Sequence, residues 1–304
     1  MTKNFSITIK QSIDIFIKSL QVEGKAKQTI VSYSTDIKIF YKFIQQELSN
    51  KIRYVSDIRY FHLELFKEYL NKNYCFSSTC RKYNCLRTYL RIMHRFDYIN
   101  EDIIKKLNTD KFGNQRREKK LKISEIRNGV ISQEVKNLIL QRVENDKSKN
   151  KYRDIALIHI LNHGLRRSEV LYLKWSDFNF SNKTMNIWRP KNCNFDTVRI
   201  SDNAVKALEQ HFRISSFSNS LNDKVFSIST TPYNKIINKY TYGLLSETGK
   251  QITGHSFRHT FITNMIRNNV SLSKIQRYVG ISLEVLEQYT HLNFNDTDEI
   301  ANLI

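Results

Sequence analysis

Residues 255–261 read H-S-F-R-H-T-F, and this stretch has the spacing of a helix with one polar and one apolar side. His255 and Arg258 stand three residues apart, so a helix carries both side chains on one face. Phe257 and Phe261 turn toward the core. The stretch therefore predicts a core-packed helix that presents a histidine and an arginine side by side.

Three further polar positions flank this helix along the chain. Residues 163–170 read H-G-L-R-R-S-E-V, which places Arg166 at the N-terminal end of a helix and Glu169 one turn further on. Lys191 stands at the bend of a predicted hairpin. Tyr289 opens the sequence Y-T-H near the carboxyl end. The order of these residues indicates one composite site.

Two arginines, a lysine, a histidine and a tyrosine supply the roles needed when a phenol attacks a phosphodiester. Arg166 and Arg258 can neutralise the non-bridging oxygens as charge builds up in the transition state. Lys191 can protonate the leaving 5′ oxygen, and His255 can bind the phosphate or accept the tyrosine proton. Tyr289 can form the covalent intermediate. We find none of the Asp/Glu clustering of a two-metal nuclease, so we expect neither a metal nor a cofactor.

The composition favours a helical protein that binds nucleic acid. The 304 residues contain 49 Lys+Arg against 29 Asp+Glu, a formal charge of +20, with only 8 Gly and 2 Pro. Few turn residues predict a mainly α fold with a small antiparallel β-sheet. The basic residues are spread along the chain instead of lining one amphipathic helix, which favours DNA over a membrane surface as the partner.

Hydrophobic periodicity divides the chain into two domains and a linker. Four amphipathic helices, the second capped by Thr29, predict a compact bundle over residues 1–107. A basic, non-periodic stretch over 108–129 predicts a linker. Residues 130–304 predict a larger α+β domain with a hairpin between 178 and 200 and a C-terminal tail. The expected DNA contacts of the bundle, mostly to phosphate, are Lys27, Thr29, Tyr33, Arg81 and Arg87.

Taken together, these motifs resemble the tyrosine recombinase (phage integrase) family. The family's T-G-L-R-x-x-E-L is similar to residues 163–170, its H-x-L/F-R-H-T/S-F to residues 255–261, and its Y-T-H to residues 289–291. The resemblance implies a helical core-binding domain (SAM-like) and a catalytic domain that together clamp DNA. It implies Arg166, Lys191, His255, Arg258 and Tyr289 as catalytic residues. From their positions we expect Glu169 to hold a neighbouring basic group and His259 to pack or hydrogen-bond beneath the site.

The resemblance also implies the reaction. Such enzymes cleave and rejoin DNA through a 3′-phosphotyrosyl intermediate and exchange strands through a Holliday junction, in integration, excision, resolution or inversion. We expect a simple Xer-like, Cre-like or transposon-resolvase-like member without an arm-binding domain. The expected substrate is double-stranded DNA with inverted-repeat core sites, bound by a homotetramer in the synaptic complex and by a monomer or weak dimer otherwise. We expect a cytoplasmic, nucleoid-associated protein with no membrane partner.

Four points leave alternatives open. Ile281 stands where the family commonly has a second phosphate-binding His or Trp, so His291 or Ser282 could supply that donor. Tyr278 is the rival nucleophile. A type IB topoisomerase uses similar chemistry, and a DNA-binding regulator with a weakened site is the second alternative. The tail carries Ile300, Leu303 and Ile304, which could dock on a neighbouring subunit or pack on their own domain.

Overall fold

The computed structural model describes residues 6–48, 52–110, 112, 129–189, 194–215 and 220–290. The chain forms two compact units, Met1–Lys119 and Lys120–Ile304, and the division falls within the predicted linker. Lys191, most of that linker and the C-terminal tail, with His291, lie outside the described residues.

The first unit is a helical bundle around one central helix. A 3₁₀ turn, Val55–Asp57, precedes α3, and α4 contacts each of the other four helices. The bounds are α1 Ile9–Val22, α2 Lys27–Glu47, α3 Tyr60–Asn73, α4 Phe76–Arg95 and α5 Glu101–Thr109. The four predicted helices are present, and α5 is an additional helix whose last residues the sequence-based prediction placed in the linker.

The start of α2 differs from the sequence-based prediction, which placed Thr29 as its cap. Helix α2 begins at Lys27 after Ala26, which has no side chain to cap it, so Thr29 lies inside the first turn and is not the cap. The Thr29 amide donates to the Ala26 carbonyl instead. At α5, by contrast, the Asn100 side chain accepts the Asp102 amide and caps the helix.

The second unit combines eight helices with a small antiparallel sheet in the part that is described. The strands lie in the order β1 Phe178–Asn179, β2 Thr184–Arg189 and β3 Asn194–Arg199. The helices are α6 Gln133–Glu144, α7 Lys151–Leu161, α8 Arg167–Tyr172, α9 Asp202–Ser215, α10 Thr230–Thr241, α11 Gly254–Arg267, α12 Leu272–Val279 and α13 Leu283–Thr290. The predicted hairpin is present, with β1 as a short third strand.

The sheet shows the inward and outward alternation expected of a half-buried strand. Met185 and Ile187 of β2 are fully buried, and Met185 pairs with Val198 of β3. Arg189 continues the inward series at the end of β2 and is also buried. The hairpin therefore places the Arg189 guanidinium inside the protein, next to the polar stretch at 163–170.

A separate apolar cluster joins the last three helices. It contains Ile262 and Ile266 of α11, Ile275 and Val279 of α12, and Leu286 and Tyr289 of α13. Because the ring of Tyr289 belongs to this cluster, apolar burial fixes the position of α13 against the helix that carries His255 and Arg258. Across both units, no described helix combines the length and the apolar character required to cross a bilayer.

Candidate active site

Arg166 and Glu169 form the first part of the site within one helical turn. Arg166 precedes α8, and the Glu169 carboxylate accepts both its backbone amide and its Nη1, each at 2.7 Å. The Glu169 side chain is fully buried, whereas that of Arg166 is 31% exposed. The spacing of residues 166 and 169 predicted this contact, which holds the partly exposed Arg166 guanidinium in place.

Arg258 joins the same group from α11. It is 3% exposed, donates from Nη1 to the Gly164 carbonyl at 2.6 Å, and lies 3.9 Å from Glu169 through Nη1. Burial and the neighbouring charge of Arg166 lower its pKa to about 10, and it stays protonated near neutral pH. Gly164 has a φ of +74°, and a Cβ there would lie 2.8 Å from Phe261, so a glycine is required at this turn.

Arg189 belongs to the same network, and the sequence-based prediction missed it. It is 3% exposed, contacts Glu169 at 2.9 Å and Asp196 at 3.0 Å, and donates to the Tyr278 carbonyl at 2.6 Å. The sequence did contain a signal for a buried arginine here. Arg189 occupies the next inward position of β2 after Met185 and Ile187, and an arginine is unusual at an inward position.

The three guanidiniums converge on the end of α12. Nη2 of Arg189, Arg258 and Arg166 donate to three successive carbonyls, those of Tyr278, Val279 and Gly280, at 2.6, 2.9 and 2.7 Å. Gly280 has a φ of +61°, and a Cβ there would meet Arg189 Nε at 2.8 Å. Cations are favourable at the carboxyl end of a helix, so this arrangement links the arginines to the backbone that leads into α13.

Arg189→Met should strongly destabilise the second unit. The variant leaves Glu169 and Asp196 without one buried cation and the Tyr278 carbonyl without its donor, and breaking a buried ion pair costs about 3–5 kcal/mol. Urea denaturation measures this change. Arg199→Met, on the exposed side of β3, is the matched control and should change stability by less than about 0.5 kcal/mol. Equal stability of the two variants would contradict the assignment.

Tyr289, the predicted nucleophile, is 4% exposed and its hydroxyl lies 2.6 Å from His259 Nδ1. Burial raises the Tyr289 pKa to about 12 against the opposing effect of Arg258, so the phenol is protonated at rest. The His255 ring contacts the His259 ring edge-on, with centroids 4.4 Å apart. Partial desolvation, then the charges of Arg258 and Arg166, lower the pKa of His255, which reaches solvent.

Tyr278, the rival nucleophile, has a different environment. Its hydroxyl donates to the Arg199 carbonyl at 2.6 Å and lies 2.8 Å from His163 Nδ1, and its ring stacks on Phe261. Because Tyr278 donates its proton to a carbonyl, His163 Nδ1 is the donor to Tyr278, and His163 Nε2 accepts from the Ser201 amide at 3.3 Å. Tyr278 thus joins α12 to β3 through polar contacts, which favours Tyr289 as the nucleophile.

Lowering the pH from 7.5 to 5 should destabilise the second unit. Burial first, then neighbouring positive groups, lower the pKa of His163 and of His259 to about 4, against 6.5 for an ordinary histidine. The unfolded chain therefore binds more protons below about pH 6.5, and the stability present above that pH is lost as the pH falls toward 4. The loss at pH 5 is up to about 2 kcal/mol for each histidine.

Thermal unfolding at the two pH values measures this effect. His163→Gln should reduce the difference in Tm between pH 7.5 and pH 5, since the variant has one histidine fewer that is held neutral by the fold. An unchanged Tm between pH 7.5 and 5 in the unaltered protein would contradict the prediction.

The predicted DNA contacts of the first unit fall into two groups. Lys27 is exposed at the start of α2, and Thr29 and Tyr33 follow on the same helix with partial exposure. Arg81 is half-exposed and forms an ion pair with buried Asp36. The prediction of a DNA contact at Arg87 is corrected by the structure. Arg87 is 5% exposed and donates to the Leu107 carbonyl at 2.7 Å, so it joins α4 to α5 and is not at the surface.

Two further expectations concern donors and metals. Ile281 packs against the apolar cluster of α11 to α13, as its side chain requires, and Arg189 lies beside the preceding Gly280. Among the residues with described positions, no three His, Cys, Asp or Glu side chains are grouped so that they could hold a metal ion.

Comparisons with known proteins place the chain in a family. Residues 130–296 match the model of the phage integrase family. Tyrosine recombinase XerC of Pediococcus pentosaceus is 25% identical over 92% of this chain and 93% of its own, and tyrosine recombinase XerD of Staphylococcus haemolyticus is 22% identical over 95% and 97%. These relatives are therefore similar over both units.

Solved structures share the fold. The XerH site-specific recombinase bound to its difH substrate in a pre-cleavage complex has a TM-score of 0.71 at 18% identity, over 97% of this chain and 84% of that one. A lambda integrase tetramer bound to a Holliday junction has a TM-score of 0.68 at 14% identity, over 94% and 78%. At these identities the likeness concerns the fold.

Proposed function

We propose how this chain, which belongs to the phage integrase family and is a tyrosine-type site-specific recombinase, cleaves DNA: Tyr289 attacks a phosphodiester held by Arg166 and Arg258. The observation that carries this proposal is the position of the Tyr289 hydroxyl. The hydroxyl is hydrogen-bonded to His259, the residue after Arg258. Both residues lie on α11, which contributes Arg258 to the network of Arg166, Arg189 and Arg258.

The charge balance of the network supports a phosphate as its ligand. Among the described residues, three guanidiniums face two carboxylates, those of Glu169 and Asp196. The site therefore retains excess positive charge, which a phosphodiester would neutralise. Arg166 is the most exposed of the three arginines and the best placed to reach DNA.

In the proposed step the Tyr289 oxygen bonds to phosphorus and the bond from phosphorus to the 5′ oxygen breaks, leaving a 3′-phosphotyrosyl ester. Arg166 and Arg258 stabilise the charge on the non-bridging oxygens. His255 binds the phosphate from the solvent-facing side of α11. Lys191 protonates the leaving 5′ oxygen, as the resemblance implies, and attack by a 5′ hydroxyl from the other duplex then reverses the chemistry on a new partner.

We propose double-stranded DNA with inverted-repeat sites as the substrate. The +20 charge, with Lys27, Thr29, Tyr33 and Arg81 accessible on the first unit, supports contacts to the phosphate backbone. The lambda integrase tetramer on a Holliday junction supports a homotetrameric synaptic complex here as well, formed from monomers or weak dimers. We place this activity in the bacterial cytoplasm at the nucleoid, in keeping with the bacterial relatives.

Covalent capture from randomised DNA tests the proposal and identifies the target sequence in the same experiment. The protein is incubated with nicked duplexes that carry randomised inverted repeats, and DNA that stays attached after denaturation is sequenced. A nicked suicide substrate built from the recovered sequence then measures cleavage, and two intact copies of the site measure strand exchange. We expect a denaturation-resistant adduct at the 3′ side of the break and recombinant joint molecules.

The same assay separates the alternatives. An adduct with relaxation of supercoiled DNA and no joint molecules would indicate a topoisomerase of type IB. DNA binding without any adduct would indicate a regulator with an inactive site. Either result would overturn the proposed function.

A further inference from the structure

His259 holds a fixed position against the proposed nucleophile. Its Nδ1 lies 2.6 Å from the Tyr289 hydroxyl, and the two rings are 5.7 Å apart at an interplanar angle of 31°. The His255 ring contacts its edge, and Gly129 lies so close that an added Cβ would be 3.1 Å from His259 Cδ2. The imidazole is therefore fixed by its neighbours before any substrate is bound.

The direction of this hydrogen bond follows from the protonation of both groups. Burial first, then the charges of His255 and Arg258, lower the pKa of His259 to about 4, so its ring is neutral near pH 7. The Tyr289 phenol, whose pKa is raised to about 12, keeps its proton. A phenol donates readily to an unprotonated imidazole nitrogen, which assigns Tyr289 as donor and Nδ1 as acceptor.

We infer that His259 is the residue that takes the Tyr289 proton when the phenol attacks DNA. In the step, the O–H bond of Tyr289 breaks as its oxygen bonds to phosphorus, and the proton passes to His259 Nδ1. The leaving 5′ oxygen receives its proton from another acid, Lys191 in the proposed function on which this inference rests. In the joining step, His259 returns the proton to Tyr289 as the ester breaks.

The alternative acceptor, His255, is less well placed. Within the described part of the chain, the hydrogen-bond partner of the Tyr289 hydroxyl is His259, and the His255 ring lies against the edge of that imidazole. His255 is also the more solvent-exposed of the two, which suits contact with a phosphate arriving from outside. Of the two roles that the sequence left open for His255, phosphate binding and proton acceptance, this geometry favours phosphate binding and assigns proton acceptance to His259.

The weak basicity of the resting imidazole is compatible with this role. A phenolic oxygen becomes far more acidic as it bonds to phosphorus, so the transfer accompanies attack and no free phenolate is required. A DNA phosphate bound beside Arg258 also brings negative charge near the ring, which favours its protonated form. In the part of the chain with described positions, the charged and titratable groups around His259 are His255 and Arg258 on its own helix and Tyr289 on α13.

His259→Asn is the decisive variant. An Asn amide oxygen can occupy the place of Nδ1 and accept a hydrogen bond, but it cannot hold a proton at neutral pH. We expect single-turnover cleavage of the suicide substrate at pH 7 and saturating DNA to fall about 100-fold. The variant's rate should then rise about tenfold per pH unit toward pH 9 as phenolate becomes available, while the unaltered enzyme stays nearly flat.

His255→Asn is the matched control on the same helix. It should also lose cleavage, but without recovery at alkaline pH, because the proton acceptor is still present. Thermal unfolding and DNA affinity, measured for both variants, show whether each is folded and bound.

Three results would overturn the inference. His259→Asn could cleave at the unaltered rate, it could lose rate with an unchanged pH profile, as a purely structural residue would, or it could cleave faster, as expected if His259 only restrains Tyr289. No adduct from the unaltered enzyme at any pH would overturn the proposed function together with this inference. Equal adduct formation by the unaltered enzyme and by His259→Asn would overturn this inference and leave the proposed function standing.

Discussion

Tyr289→Phe should abolish the covalent adduct with DNA altogether. The change removes the attacking oxygen and its bond to His259, while the ring still fills the apolar cluster of α11 to α13. We therefore expect folding and DNA affinity to stay close to those of the unaltered protein. The measurement is the yield of denaturation-resistant adduct on a suicide substrate, beside a binding titration on the same DNA.

Tyr278→Phe is the matched control for this prediction. It also removes one tyrosine hydroxyl, here from a half-buried side chain, and breaks the hydrogen bonds to the Arg199 carbonyl and to His163, which costs about 0.5–1.5 kcal/mol of stability. It should nevertheless form the adduct. Adduct formation by Tyr289→Phe, or its loss in a folded Tyr278→Phe, would contradict the assignment of Tyr289 as the nucleophile.

Arg258→Lys should reduce the cleavage rate about 100- to 1,000-fold, the cost of removing one preorganised donor from a developing oxyanion. Lysine keeps the charge but cannot bind the Gly164 and Val279 carbonyls and a phosphate oxygen in the planar fork of a guanidinium. Single-turnover cleavage at saturating DNA measures the effect separately from affinity.

Arg267→Lys provides the control on the same helix. Its guanidinium is half-exposed and pairs with Glu247 at 3.4 Å, a surface contact worth at most about 1 kcal/mol. Cleavage by this variant should match that of the unaltered protein. A cleavage rate of Arg258→Lys within a few fold of the Arg267→Lys rate would show that Arg258 does not bind the reacting phosphate.

The parts of the site that depend on local spacing could be predicted from sequence. Arg166 and Glu169 are paired because three residues make about one helical turn, and His255 and Arg258 share a helix for the same reason. The first four helices of the first unit could be predicted from apolar periodicity. Helix α5 was missed because its nine residues are fewer than the roughly 11 to 18 over which this periodicity is usually recognised.

Contacts between distant residues could not be predicted in this way. Arg189 reaches the Tyr278 carbonyl across 89 residues of sequence, and Tyr289 reaches His259 across 30. Arg87 was assigned to the surface because it is charged, yet the Leu107 carbonyl gives its guanidinium a buried partner. A basic residue on an amphipathic helix faces inward when another segment supplies an acceptor, and the sequence does not state which segment does so.

The sequence by itself determined the chemical inventory of this protein: two arginines, a histidine and a tyrosine in a fixed order, on helices whose periodicity set their inward faces. Only the tertiary structure decided which groups meet, namely three guanidiniums on the end of α12 and a phenol on His259. Periodicity acts over a few residues and fixes faces, whereas these contacts arise when buried apolar faces bring distant helices together and each buried polar group must find a partner.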